Sequence, residues 1–263
     1  MAVGEGRRAQ GSGPRAEGSG RPAVLIDLDD TLFDHRASAR RALQSAAAAD
    51  PALGRCAFDA LEARHRAILE DLHRGVLDGR MTVDEARALR FRTLVAEQGE
   101  ACDDARLDRI TAAYRAAYQA DWMCVAGARA LLAELRARRA RIAIVTNNIV
   151  TEQVAKMQRL ELHGLVDALV VSEAVGASKP DARIFTHALD EIGAAAEEAT
   201  MLGDSWSADV EGARAAGLRA VWFNPRRAAR PADRPEVREI HALEPAHTVA
   251  ELLVGWKVGR LEG

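Results

Sequence analysis

Cysteine is scarce in this chain: three residues, Cys56, Cys102 and Cys124, odd in number and widely spaced. That excludes a disulfide framework and supplies no zinc-knuckle spacing, so a reducing, cytoplasmic setting is the plain expectation. No apolar run approaches the roughly 20 residues of a membrane span. Charge of one sign is missing too. A formal net charge of -3 and a pI near 6.2 give no electrostatic footprint for nucleic acid or an acidic membrane surface. Aromatics make up only 4% of the residues, and of 36 basic residues just three are lysine (156, 179 and 257), leaving 33 arginines. What remains is 263 residues of soluble character, enough for one large or two modest domains with a full core.

Residues 1–22 stand apart. They are rich in Gly, Ser and Arg, carry four Arg against two Glu, and contain no apolar h-region. A disordered extension is expected there rather than a signal peptide.

At Ala23 the character changes. Ala23-Val24-Leu25-Ile26 is a short apolar run that stops in the carboxylates Asp27, Asp29, Asp30 and Asp34. Buried parallel strands are apolar along their length, and open α/β sheets bind ligands at the carboxyl ends of their strands. Asp27 and Asp29, two residues apart on extended chain, would point to one side of that end. Asp also caps turns for purely local reasons, but three later segments repeat the pattern. Arg141 to Val145 runs into Thr146-Asn147-Asn148. Ala168 to Ser172 precedes Ser178-Lys179-Pro180-Asp181. Ala199 to Leu202 runs into Gly203-Asp204-Ser205, with Asp209 five residues after Asp204.

Four motifs in this order, Asp-x-Asp-x-Thr, Thr, Lys-Pro and Gly-Asp-x4-Asp, resemble the haloacid dehalogenase superfamily of phosphohydrolases over residues 23 to about 224. The resemblance implies an α/β fold: a doubly wound, Rossmann-like parallel sheet with an all-helical cap inserted after the first strand. It implies Asp27 as nucleophile, forming an aspartyl phosphate that water hydrolyses. Asp29 becomes general acid and then general base. Mg²⁺ would be held by Asp27, the backbone carbonyl of Asp29 and Asp204, with Asp209 behind them holding a metal-bound water or Lys179. Thr146, the Asn147 amide and Lys179 would take the phosphoryl group. For Asp29 to donate a proton near neutrality its pKa has to rise, through burial and the neighbouring Asp27. Thr31 reads as a hydroxyl satisfying its own turn.

Lys179 has independent support. Where arginine is the habit, a lysine suggests that a compact ammonium is required and a planar guanidinium does not fit.

More than a hundred residues separate the first two motifs. From Ala37 to Trp122 they read as Ala-, Arg-, Leu- and Glu-rich helix, broken at Asp50-Pro51, between Gly75 and Gly79, and at Gly99, which implies about four helices. The domain plan is therefore a helical cap at 37–122 on a core formed by 23–36 and 123–263. Beyond the cap, helices near 127–139, 150–163, 181–193 and 206–216 alternate with strands at 141–146, 168–172, 199–203 and 219–223. An Arg- and Pro-rich loop then runs to Pro235, and a Thr248–Glu251 capping box starts a last helix.

Tyr114, Tyr118 and Trp122 recur every fourth residue near the end of the cap. They form either packing core or a wall that stacks a nucleobase or sugar. His35 and Trp206 could touch a leaving group or be structural. The expected activity is hydrolysis of a small phosphorylated metabolite, a nucleotide or sugar phosphate, by a monomer or homodimer, with no nucleic acid or membrane partner. The alternatives are a phosphomutase of the same fold and a non-catalytic ligand-binding or regulatory module.

Overall fold

The computed structural model describes residues 21–77 and 79–255, without the side chains of residues 73, 74 and 77. The expected tail, apart from Arg21 and Pro22, lies outside the described residues, as does Lys257. β1 (Ala23–Ile26) leads into four helices, α1 (His35–Ala49), α2 (Phe58–Leu77), α3 (Val83–Ala96) and α4 (Asp104–Ala120). Alternation follows: α5 (Ala128–Ala137), β2 (Arg141–Thr146), α6 (Val150–Arg159), β3 (Ala168–Val171), the short α7 (Ser172–Val175), α8 (Ala182–Glu191) and β4 (Ala199–Gly203). A π-helical turn (Trp206–Glu211) opens into α9 (Gly212–Ala215), and β5 (Arg219–Phe223), β6 (Arg238–Ile240) and α10 (Ala246–Val254) complete the described chain.

The six described strands form one parallel sheet in the order β3-β2-β1-β4-β5-β6. The chain leaves central β1 for one side and returns to build the other. Strand order therefore reverses at β1 and β4, where such sheets open a crevice at their carboxyl edge. Period-two alternation sends Val24, Ile26, Ile142 and Ile144 to one face, against Leu131, Leu132 and Leu135 of α5 and Val249 and Leu253 of α10. Leu25, Ala143, Val145 and Met201 face the other way, onto Ile184, Phe185, Ala188 and Leu189 of α8. Both faces are covered, which is why the strands are apolar throughout. Each fully buried Leu, Ile or Val contributes about 1.5–3 kcal/mol.

Helices α1 to α4 have a core of their own, built on Leu43, Leu61, Phe91, Leu94, Ile110 and Tyr114. Thr82 and Glu85 form a reciprocal capping box at the start of α3. Buried Asp50 ends α1 and accepts two 2.6 Å bonds from Arg106 of α4. The helix α2 continues through Gly75; its successor Gly79, like Gly99, takes the left-handed conformation, with φ of +69° and +78°.

Two local expectations differ from the structure. β6 was not expected: it is a three-residue edge strand just beyond the loop read as far as Pro235, too short to show a pattern. The final helix starts at Ala246, so Thr248 lies inside it and makes no capping box; the Thr248 amide bonds the carbonyl of Pro245, which sits at the cap position with φ -70°. No helix of the described residues is long and apolar enough to cross a membrane.

Candidate active site

The loops after β1, β2, β3 and β4 converge at the carboxyl edge. Asp27 directly follows β1, and its amide bonds the carbonyl of Leu202 on β4. Lys179, from the loop after β3, reaches across with its ammonium 2.6 Å from Asp27 Oδ1 and 2.7 Å from Asp209 Oδ1. All three groups are buried, and their lysine and aspartate chains come from three different strand ends. Asp209 stands in the π-helical turn, where its other oxygen accepts from the Ser205 amide. It lies directly over Gly203, and a Cβ on that glycine would collide with its carboxylate. Asp27, Asp204 and Asp209 bring one oxygen each to within 4.8 Å of one another.

Thr31 does more than satisfy its turn. Its hydroxyl donates to Asp27 Oδ2 at 3.0 Å and accepts from the Asp204 amide at 3.2 Å, joining the first and last motifs. Asn147 also acts through its side chain. Its amide donates to the Lys179 carbonyl at 2.9 Å and accepts from the Lys179 amide at 2.8 Å, so the loop that presents the ammonium is clamped at both backbone groups.

Asp29 occupies different surroundings. Lys156, on α6, is fully buried and lies 2.7 Å from Asp29 Oδ1 and 2.9 Å from Glu152. Gln153, one helical turn earlier, donates to Asp29 Oδ2 at 2.8 Å and to the Thr146 hydroxyl at 2.6 Å. Residues three apart share a helix face, so Gln153 and Lys156 present one polar clamp. The Lys156 ammonium also lies 5.0 Å from the centroid of the Phe33 ring. These two residues escaped the sequence reading. A signal existed: Lys156 is one of the three lysines in an arginine-rich chain, and it departs from the habit as Lys179 does.

Electrostatics separates the carboxylates. Burial pushes Asp27 up to about 7; Lys179 opposes the rise, and the Asp209 charge adds to it. Asp204 rises to about 8 through burial and repulsion from Asp27 and Asp209. Burial also presses on Asp29, but the Lys156 charge, His35 and the bonds from Lys156 and Gln153 outweigh it, and the carboxyl is held down at about 2. That corrects the expectation of a raised Asp29. Its neighbour Asp27 matters less than a lysine the sequence reading had left without a role.

The aromatic stripe is packing. Tyr114 belongs to the helical core, and Tyr118 and Trp122 pack edge-on against Phe33 at centroid distances of 6.4 and 5.9 Å. His35 Nδ1 and the Tyr118 hydroxyl are 2.8 Å apart. Trp206 packs on Trp222, whose indole N–H donates to the Asp204 carbonyl.

Fold and site together define a capped α/β enzyme built around an aspartate cluster. The model of the haloacid dehalogenase-like hydrolases matches residues 22–217. Ribulose-1,5-bisphosphate 5-phosphatase of Halopiger xanaduensis is 33% identical over 208 residues, covering 77% of this chain and 84% of that protein. Phosphoserine phosphatase of Thermus thermophilus is 43% identical over 106 residues, 40% of this chain and 42% of that protein. The crystal structure of YfnB from Bacillus subtilis bound to magnesium superposes with a TM-score of 0.71 at 28% identity, covering 88% of this chain and 99% of that one. The chain belongs to the haloacid dehalogenase-like hydrolase family, among relatives that are phosphatases.

Proposed function

We propose that this haloacid dehalogenase-family phosphatase hydrolyses a small phosphate monoester through a covalent phosphate on Asp27, with Mg²⁺ as cofactor. The observation that carries the reading is the Asp27–Lys179–Asp209 line beside Asp204. It puts a buried carboxylate, its ammonium partner and further oxygen donors at the switch point of the sheet.

The donor set fits a hard divalent cation. Three carboxylates meet one ammonium, and burial together with repulsion among the carboxylates raises Asp27 and Asp204, with Lys179 opposing the rise at Asp27. Asp27, Asp204 and the backbone carbonyl of Asp29 are the proposed ligands; Asp209 is engaged by Lys179 and the Ser205 amide. When bound, the cation offsets the repulsion between Asp27 and the phosphoryl oxygens.

The residues divide the remaining work. Thr31 and Lys179 hold the Asp27 carboxylate by hydrogen bonds for in-line attack at phosphorus. Thr146, the Asn147 amide and Lys179 receive the phosphoryl oxygens near the start of α6. Asp29 serves the leaving oxygen and afterwards the attacking water. Lys156 favours its base form, the form that accepts a proton from water; the arriving phosphate dianion favours the protonated form needed to release the alcohol. The unit α1–α4 serves as the cap over this edge, excluding water during transfer. The relatives' names, a sugar bisphosphate phosphatase and an amino-acid phosphate phosphatase, support a small metabolite as substrate.

Phosphate release from a panel of nucleoside monophosphates, sugar phosphates and phosphorylated acids, with Mg²⁺ and with chelator, tests the reading. Stoichiometric release confined to the Mg²⁺ samples is expected. Folded protein that releases none, or that only isomerises the ester, overturns it in favour of a binding module or a mutase.

A further inference from the structure

Asp204 differs from the other two members of the aspartate cluster in how its carboxylate is held. That of Asp27 accepts from Thr31 and Lys179, and that of Asp209 from Lys179 and the Ser205 amide. Among the described residues no hydrogen-bond donor meets the Asp204 carboxylate; burial and neighbouring charges act on it instead. Its direction is therefore set by its own backbone. That backbone is pinned at both polar groups: the amide donates to the Thr31 hydroxyl at 3.2 Å, and the carbonyl accepts from the Trp222 indole N–H at 2.9 Å.

Trp222 stands on β5 in register with Gly203, the residue before Asp204. The ring is 4% exposed, packs with Val210, Ala220 and Val237, and meets the Trp206 ring edge-on at a centroid distance of 5.0 Å. An indole so enclosed has little freedom, and its N–H points where the packing sends it. A buried tryptophan does not acquire an acceptor as a matter of course in this fold, since the Trp122 N–H has none. Phenylalanine would supply most of the same apolar burial beside Ala220 and Val237. What the indole adds is the bond to the Asp204 carbonyl.

The chemistry of the cation gives that bond a use. Mg²⁺ demands oxygen ligands in near-ideal octahedral geometry, whereas the larger Ca²⁺ accepts six to eight ligands in flexible arrangements. Groups that orient a ligand from behind tune metal affinity. A carboxylate free to swing serves Ca²⁺ nearly as well as a fixed one, but serves Mg²⁺ worse.

We propose that Trp222 is a positioning residue for the divalent cation: its N–H fixes the Asp204 peptide, and through it the carboxylate, so that the site favours Mg²⁺ over Ca²⁺. The inference rests on the metal reading given above and adds to it a residue on a strand outside the four motifs.

The test is calorimetric titration of Mg²⁺ and, separately, Ca²⁺ into the full chain freed of metal by chelation and dialysis. Trp222→Phe removes the N–H and part of the ring. A benzothiophene analogue of tryptophan incorporated at position 222 removes the N–H alone, and it decides the matter if the phenylalanine variant folds poorly. Both are expected to bind Mg²⁺ about tenfold more weakly, the lower end of the range for an outer partner of a metal ligand. Ca²⁺ affinity should fall by a much smaller factor, so the discrimination between the ions narrows. Trp206→Phe leaves the bond in place and should bind both ions as the parent does. A purely structural loss would lower the melting temperature and leave the ratio of the two affinities where it was. Unchanged Mg²⁺ affinity in the benzothiophene form, equal losses for the two ions, or the same loss in Trp206→Phe overturns the role of Trp222 and leaves the metal site standing. A parent chain that takes up no Mg²⁺ overturns the metal reading and the inference with it. A benzothiophene form that fails to fold makes the N–H structural and overturns the proposal too.

Discussion

Asp27 and Asp29 are two residues apart at the end of one strand and each is paired with a buried lysine, yet the charges around them drive them in opposite directions. Burial raises Asp27, and because it shares Lys179 with Asp209 and has Asp204 close by, one cation serving several carboxylates does not hold it down, and the group rises to about 7. Asp29 accepts from both Lys156 and Gln153, while Lys156 shares itself only with Glu152, and the group drops to about 2. Both residues are aspartates, and burial raises both. The ratio of cations to carboxylates differs, and that ratio creates a demand for a further cation around Asp27 but not around Asp29.

The largest effect that would break the comparison is removal of the nucleophile. Asp27→Asn keeps the shape and the bond to Thr31, so it should fold normally and lose turnover by several orders of magnitude. Near-normal phosphate release by the purified variant would refute the assignment of Asp27. Next come the changes at the second cluster. Asp29→Asn should lose about 10²–10⁴-fold on an alkyl phosphate, the range of one acid–base contribution, and much less on an activated aryl phosphate, whose leaving group needs no proton. Lys156→Met should share this selective pattern because it frees the carboxylate from its clamp. A leaving-group series measured on both variants decides the matter: equal losses on alkyl and aryl esters would show that the cluster supports the fold and not proton transfer.

The two clusters also differed in how readable they were. Asp27, Thr146 and Asp204 each close an apolar run, with Lys179 in the loop beyond another, and a strand end is a one-dimensional feature visible as a change from apolar to polar. Gln153 and Lys156 belong to the middle of α6, where partners depend on which face of the helix meets the strand ends, and that is set by packing across β1 and β2. The rarity of lysine marked Lys156 as well as Lys179, but no strand end accompanied it. Thr31 escaped for a similar reason, since the partner of its hydroxyl, the Asp204 amide, is 173 positions away. The helical insert was readable in number of helices because its breaks carry Asp-Pro and Gly.

The opposite displacements make opposite demands on stability. Asp27 and Asp204 bind protons more tightly in the folded protein than in the unfolded chain, whose carboxyls titrate near 3.8. Between about pH 4 and 8 the folded state therefore holds the extra protons, and without metal, stability must fall as pH rises through that window. The slope approaches about 1.4 kcal/mol per pH unit for each fully displaced group. Asp29 works in reverse: with its carboxyl held at about 2, the stability that it contributes is complete above pH 4 and is lost as pH falls toward 2. Chelated protein should thus be most stable near pH 4 and weaken toward pH 8, and Mg²⁺ should restore the alkaline side by taking up the charge that protons neutralise at low pH. Asp204→Asn should flatten the alkaline slope without metal and remove most of the Mg²⁺ effect, whereas Asp29→Asn should leave that slope intact and alter only the acid limb. Urea unfolding at half-unit pH intervals, with chelator and with Mg²⁺, measures both limbs. A chelated protein whose stability is flat from pH 4.5 to 8 would mean that Lys179 already balances the first cluster, and the contrast between the two aspartates would then rest on hydrogen bonding alone.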